Sequence, residues 1–181
     1  MAKAQIILGE VGVGKPDSIH IVPPMTGASA PWGTASAHSE FTDSGTTYSA
    51  WKAAANSSSL WYTPAKNEAY TDYYWEYAFE NSARCVVTEF KVTAISYNQT
   101  SSSVYYDMQL VGWNGNEWVE LSEVTRIVGV SLSTWAEMDF TIKNMPYVNK
   151  IRVICKGTNG ASMHVSGKEV FVMKQAVIKG Y

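Results

Sequence analysis

VVTEFKVTAIS, residues 86–96, alternates between two kinds of side chain along an extended chain. Phe90 and Val92 fall on one face, and Glu89 and Lys91 fall on the other. Successive side chains of a β-strand point to opposite faces of the sheet. The stretch therefore predicts a strand with one face buried in a core and one face in contact with solvent.

MQLVGWNGNEW, residues 108–118, predicts a β-hairpin. Asn114 and Gly115 lie between two runs that carry aromatic residues, and both residue types tolerate the positive φ angles of a tight turn. Further β-like runs recur with turn residues between them, at residues 74–79, 104–113, 117–121, 138–142, 150–155 and 168–174. The only helix-like stretch is short, at residues 48–55, and strands do not alternate with helices. We therefore expect an all-β fold, an antiparallel β-sandwich with jelly-roll connections.

The positions of Gly and Pro residues indicate the domain organisation. Residues 1–34 contain two short extended pieces broken by Gly and Pro, which predicts an extended N-terminal arm for attachment or assembly. Residues 35–181 form the predicted sandwich domain, which is long enough to bury a core without metals or disulfides. Cys85 and Cys155 lie in apolar runs that favour buried free thiols, and a bridge between them stays an alternative.

Composition excludes several function classes. Charged residues make up only 17% of the chain, the net charge is −2, and no Lys/Arg cluster is present, so nucleic acid is not an expected partner. The apolar run near the N-terminus is too short for a signal peptide or a membrane span, so we expect no membrane insertion. Aromatic residues reach 13%, which is typical of a β-rich protein with an aromatic surface.

Motifs for catalysis and cofactors are weak. Residues 9–15, GEVGVGK, match the start of a phosphate-binding loop, but Pro16 stands where a Ser or Thr must hold Mg²⁺, so we expect a turn and no organic cofactor. His20, His38 and His164 lack metal-binding spacing. Candidate carboxylates occur without any pairing signal for glycoside hydrolysis. The sequence thus predicts no catalytic residues and a protein that is not an enzyme.

Residues 35–174 resemble the discoidin-like domains, also called coagulation-factor type C domains, and the related galactose-binding carbohydrate-binding modules. The likeness lies in four stretches: ASA with FTDSGTT and Trp51, then YWEYAF at 74–79, the hairpin at 108–118, and FTI with YVNKIRV at 140–153. SGKEVFV, residues 166–172, resembles the last strand of the family. The resemblance implies a galactose-binding-like sandwich that binds carbohydrate through loops at one end.

The resemblance also implies sites. Family members often hold a structural Ca²⁺, which carries over onto Asp43, Thr46 and Glu169; oxygen ligands suit this hard cation. Asp43-Ser44-Gly45 departs from the family's Asp-Gly-Asp or Asp-Gly-Asn loop, so solvated loop residues are the alternative. By position in the variable loops, the carbohydrate ligands would be Tyr97, Asn98, Gln99, Trp135 and Asn159. Rings stack on sugar faces and amides bond sugar hydroxyls, whereas the alternative for Trp135 and Tyr97 is a role in packing.

A biological setting can be predicted from the same features. A chain that starts at its own Met, shows no signal and carries an arm fits a bacteriophage virion protein of the tail, appendage or decoration type, released by lysis. In that setting we expect a homo-oligomer whose arm contacts other virion proteins and whose sandwich recognises cell-surface carbohydrate. Two alternatives stay open: a purely structural virion assembly protein, and an extracellular carbohydrate-binding module of a secreted glycoside-active enzyme.

Overall fold

The computed structural model describes residues 18–29, 31–55, 59–62, 73–96, 105–128, 136–157 and 171–181. Two short 3₁₀ helices, Ala50–Ala54 and Glu80–Ser82, accompany the strands. The strands in chain order are β1 (Ile19–Val22), β2 (Gly33–Ala37), β3 (Phe41–Asp43), β4 (Thr46–Tyr48), β5 (Trp61–Tyr62), β6 (Tyr73–Phe79), β7 (Val87–Ser96), β8 (Tyr105–Trp113), β9 (Trp118–Glu120), β10 (Thr125–Val128), β11 (Ala136–Phe140), β12 (Lys150–Gly157) and β13 (Phe171–Gly180).

Two antiparallel sheets form the sandwich. The five-stranded sheet has the order β1-β13-β7-β11, with β5 also paired to β13. The six-stranded sheet has the order β10-β8-β12-β6-β2, with β9 also paired to β8. Strands β3 and β4 form a separate hairpin. The all-β antiparallel sandwich predicted from the sequence is confirmed.

The core lies between the inner faces of the two sheets. Phe90 of β7 packs edge-on against Phe140 of β11, with ring centroids 4.9 Å apart. Opposite them the six-stranded sheet contributes fully buried side chains, among them Trp75, Tyr77, Met108, Leu110 and Ile151. Buried polar atoms on large side chains find partners: Trp75 Nε1 donates to the carbonyl of Ala50 at 2.9 Å. This pairing avoids the cost of an unsatisfied buried N–H group.

Strand β7 shows the burial pattern predicted from the sequence, with one exception. Phe90 and Val92 are buried, and Lys91 between them is exposed. Val87 is also buried, although alternation places it on the outer face. The pairing of β7 with β13 shifts register between Lys179 and Gly180, which is the level of Val87. Such an irregularity interrupts the two-residue period of the strand.

The predicted hairpin is present between β8 and β9, but its turn is longer than the Asn-Gly step indicated. Trp113 and Trp118 are directly paired, so four residues connect the strands. The Asn114 side chain accepts hydrogen bonds from the backbone N–H groups of Asn116 (2.8 Å) and Glu117 (3.0 Å). Among the four turn residues only Gly115 has a positive φ, of 105°. The asparagine therefore acts through its side-chain oxygen and not through a left-handed backbone.

The region predicted as an arm is described from residue 18 onward, and residues 1–17 lie outside the described residues. Strand β1 pairs with β13, with Ile19 opposite Gly180. Strand β2 pairs with β6, with Gly33 opposite Phe79. Among the described residues, no helix has the length and apolar character needed to span a membrane.

Cys85 is a free, buried thiol, and its Sγ lies 3.6 Å from the carbonyl oxygen of Val148. Burial raises the pKa of the Cys85 thiol to about 12. Since the thiolate is the nucleophile, we expect Cys85 in the folded protein to resist iodoacetamide at pH 8 and to react once urea unfolds the chain. Peptide mass spectrometry resolves Cys85 from Cys155, and equal rates in the folded and unfolded protein would contradict this expectation.

Candidate functional site

Eight strand ends meet at one end of the sandwich, which we call the loop end. In the five-stranded sheet Ser96 pairs with Phe171, and Tyr62 pairs with Val172. In the six-stranded sheet Tyr105 pairs with Val128, and Tyr73 pairs with Cys155. Four connections therefore start and finish at this end: β5 to β6, β7 to β8, β10 to β11 and β12 to β13.

The predicted ligand residues belong to these connections. Tyr97, Asn98 and Gln99 follow the last residue of β7, Trp135 precedes the first residue of β11, and Asn159 lies two positions beyond the end of β12. All five lie outside the described residues. The strands to which they are joined end side by side, so the topology attaches the predicted residues to one end of the molecule.

Three near-parallel aromatic rings stand at the edge of the loop end, and we call them the aromatic trio: Phe41, Tyr48 and Tyr62. The Tyr48 and Tyr62 rings stack with centroids 4.0 Å apart and an interplanar angle of 6°. Phe41 lies beside both, with centroids 6.1 Å from Tyr48 and 6.4 Å from Tyr62. All three side chains are partly exposed. The trio forms a stacked aromatic cluster that is partly in contact with solvent.

The β3–β4 hairpin positions two of these rings. Phe41 and Tyr48 are directly paired across it, and Ser44 and Gly45 make the turn with φ angles of 48° and 79°. Two consecutive positive φ angles are typical of a type I′ turn, which fits the twist of a hairpin. Lys52 Nζ lies 5.8 Å from the centroid of the Tyr48 ring. A lysine at this distance adds a positive charge beside the aromatic surface.

The metal ligands implied by the resemblance are partly described. Asp43 and Thr46 are paired across the turn of the same hairpin, and both are exposed. The Asp43 carboxylate accepts a hydrogen bond from the Ser44 hydroxyl at 3.1 Å. Glu169 lies outside the described residues. Within the described ranges, no three His, Cys, Asp or Glu side chains come close enough to hold a metal ion. The donors available at the hairpin are oxygen atoms, which is the chemistry that Ca²⁺ requires.

Several acidic groups of the described strands are engaged in ion pairs. Arg126 makes a two-point contact with Asp107, at 2.7 and 2.9 Å. Lys91 lies 3.4 Å from Asp139, and Lys179 lies 3.0 Å from Glu89. Such surface pairs add little to stability. In the described part of the chain these three carboxylates make structural contacts between or along strands.

Sequence reasoning did not single out the aromatic trio. The Ser44-Gly45 turn between Phe41 and Tyr48 is a hairpin signal that would have paired those two rings. Tyr62 has no comparable signal, because β5 contains only two residues and is too short to show a period. Its position beside Tyr48 depends on pairing with β13, more than a hundred residues later in the chain.

Solved structures provide the comparison. The family 32 carbohydrate-binding module from C. perfringens NanJ in complex with galactose matches with a TM-score of 0.50 and 13% identity, over 81% of this chain and 93% of that one. The family 32 module of AlyQ in complex with 4,5-unsaturated mannuronic acid matches with a TM-score of 0.46 and 13% identity, over 82% and 93%. The third family 32 module of a family 31 glycoside hydrolase from Clostridium perfringens matches with a TM-score of 0.45 and 8% identity, over 87% and 100%.

No protein-family model matches the chain, and no curated protein matches it at a significant level. At these identities the likeness to the solved structures concerns the fold. Two packed antiparallel sheets, with four of their connections at the loop end, give this chain the galactose-binding-like β-sandwich fold that is also seen in the NanJ module.

Proposed function

We propose that this chain is a non-catalytic carbohydrate-binding module whose binding site is at the loop end. The observation that carries the proposal is the convergence of eight strand ends at one end of a galactose-binding-like sandwich, with the aromatic trio at its edge. Ligand sites occur preferentially on loops that a rigid scaffold positions. The NanJ module, which shares the fold, is described in complex with galactose.

The chemistry of the loop end suits sugars. A partly exposed ring offers a flat apolar surface to the C–H face of a sugar, and amide side chains exchange hydrogen bonds with its hydroxyl groups. Tyr97 and Trp135 would supply rings, whereas Asn98, Gln99 and Asn159 would supply amides. Tyr48 and Tyr62 of the trio extend the aromatic surface on the side of β5.

A structural Ca²⁺ is part of the proposal. Asp43 and Thr46, which face each other across the β3–β4 turn, would hold the ion together with Glu169. The ion would fix the hairpin that carries Phe41 and Tyr48, and would thereby support the edge of the site. Binding at the loop end should therefore weaken when Ca²⁺ is removed.

For the setting we propose a virion protein that presents the loop end to a host surface and attaches, as a homo-oligomer, through the region 1–34. The geometry supports this orientation, because Ile19 and Gly33 enter the sandwich at the end opposite the loop end. We call that opposite end, which also holds Phe79, Trp113 and Trp118, the far end. The same geometry suits a module joined to a secreted glycoside-active enzyme, which is the alternative setting.

A glycan-array screen of the purified protein, with and without Ca²⁺, tests the binding function. We expect selective binding to a set of glycans and a loss of at least about tenfold in affinity for Trp135→Ala and Tyr97→Ala, since sugar-stacking rings are dominant contacts. The matched control is Tyr147→Ala, because Tyr147 is a 55% exposed aromatic residue at the far end. Its substitution should leave binding unchanged.

Two results would contradict the proposal. Failure of the wild-type protein to bind any glycan, with or without Ca²⁺, would favour a purely structural assembly protein. Binding that survives both loop-end substitutions but is lost in Tyr147→Ala would place the site at the far end.

A further inference from the structure

The outer face of the six-stranded sheet carries an arginine held between two aromatic rings. The guanidinium carbon of Arg152, on β12, lies 4.0 Å from the centroid of the Tyr74 ring and 4.1 Å from that of the Trp118 ring. Its Nε donates a hydrogen bond to the Glu76 carboxylate at 2.5 Å. A guanidinium that contacts two aromatic rings and binds a carboxylate through Nε is held in one orientation.

The terminal edge of this guanidinium is open. An arginine side chain has five N–H donors. In Arg152 only the Nε–H has an acceptor among the described residues. Arg126, on β10 of the same sheet, differs: its Nε and Nη2 both donate to Asp107. The Arg152 side chain is 27% exposed, so part of it is in contact with solvent. Two parallel N–H donors match a carboxylate or sulfate, which accepts both at once.

The charge around this arginine favours an anion. Lys150 precedes Arg152 on the same face of β12 by two positions and has no carboxylate partner in the described part of the chain. Glu76 balances one of these two cations. The exposed acid Glu120, on β9 of the same sheet, is paired with Lys143 at 2.8 Å. An excess of positive charge therefore remains on the face beside Arg152.

An apolar surface adjoins the open edge. Trp113 and Trp118 are paired across the β8–β9 hairpin with ring centroids 5.5 Å apart and planes at 58°. Both indoles are partly exposed. Trp118 thus lies between the Arg152 guanidinium and Trp113. The two indoles extend the apolar surface toward the far end. A sugar ring with an acidic group could lie on the indoles and reach the guanidinium.

We propose that this face is a second glycan-binding site, which recognises the acidic group of a carboxylated or sulfated sugar through the terminal edge of Arg152. The site rests on the proposed carbohydrate-binding function but not on the loop end. Arg152 lies five positions before the end of β12 at Gly157, which corresponds to about 16 Å along the strand. The two sites therefore act on separate parts of a long glycan.

Calorimetric titration with polygalacturonate tests the carboxylate arm, and its fully methyl-esterified form is the neutral control with the same backbone. Dextran sulfate and dextran form the corresponding sulfate pair. We expect binding to one of the charged polymers and not to its neutral form, with affinity that falls as salt is added. Arg152→Lys, which keeps the charge but loses the planar fork, should weaken binding by at least about tenfold.

Arg126→Lys is the matched control, because it makes the same substitution on the same sheet at a guanidinium already occupied by Asp107. It should change the affinity for the charged polymer by less than about twofold. Thermal unfolding of each variant verifies the fold. If Arg152→Lys does not fold, Lys150→Ala replaces it, with an expected loss of severalfold.

The outcomes separate this inference from the proposed function. Glycan binding that is confined to neutral polymers, or binding to charged polymers that survives Arg152→Lys or its replacement, overturns the inference and leaves the carbohydrate-binding function in place. Binding to a charged polymer that depends on Arg152 and not on Trp135 supports the inference even if the loop end proves inactive. Absence of binding to every glycan overturns both.

Discussion

Trp75→Ala is expected to lower the free energy of unfolding by about 4 kcal/mol, which is a large share of the stability of a domain of this size. Trp75 is fully buried in β6, and its ring lies 6.5 Å from that of Tyr77 in a stacked arrangement. Truncation leaves a cavity between the sheets. It also removes the donor to the Ala50 carbonyl, which is buried at the start of the first 3₁₀ helix. Urea denaturation followed by circular dichroism measures the change.

Two further variants sharpen this test. Trp75→Phe retains most of the apolar volume but loses the indole N–H, and we expect a cost of about 2 kcal/mol from the unpaired carbonyl and the smaller ring. Trp32→Ala is the matched control, because Trp32 is 55% exposed. Its cost should stay below about 0.5 kcal/mol. A cost below about 1 kcal/mol for Trp75→Ala would show that Trp75 does not anchor the core.

Gly180→Ala is expected to destabilise the protein by about 2–3 kcal/mol through steric overlap. A Cβ atom at position 180 would lie 1.9 Å from the backbone oxygen of Val86 and 3.1 Å from a side-chain carbon of Ile21. The backbone oxygen cannot move freely, since Val86 and Tyr181 exchange hydrogen bonds of 2.7 and 3.1 Å. Relief of the overlap must therefore separate β13 from β7 or from β1.

Gly27→Ala provides the control, because a Cβ atom at position 27 would meet no atom within 4 Å. We expect its free energy of unfolding to remain within about 0.5 kcal/mol of the wild-type value. Hydrogen exchange adds a local readout: protection at the Gly180 end of β13 should fall in Gly180→Ala while the Phe171 end stays protected. Equal stability of the two glycine variants would contradict the packing described here.

The strands that could be predicted from the sequence are those whose own residues carry a period. Phe90, Lys91 and Val92 alternate clearly, and the runs that became β6, β8, β9, β11 and β12 lie within a few residues of their predicted positions. Strands β5 and β10 escaped prediction because each is short and exists through pairing with a partner, β13 or β8. The alternation of apolar and polar residues cannot predict a strand that only tertiary contacts stabilise.

The sites show a similar division. A resemblance pointed to loop positions such as Trp135, and the topology attaches those positions to one end. The environment of Arg152 could not be inferred, because Glu76 is 76 residues distant in sequence and Tyr74 and Trp118 come from two other strands. These charged and aromatic residues form a site only because the pairing register of the strands places them side by side.

The separation between the paired strands and the four connections at the loop end has a consequence for sequence variation. The ladders of β7, β8, β12 and β13 do not depend on the length of the segments that join them at the loop end. Doubling the length of a flexible connection costs only about 0.6 kcal/mol. Randomised libraries at residues 97–104, 129–135 and 158–170 could therefore test the proposed sugar binding on an unchanged scaffold, because sequence change in these segments is compatible with the fold.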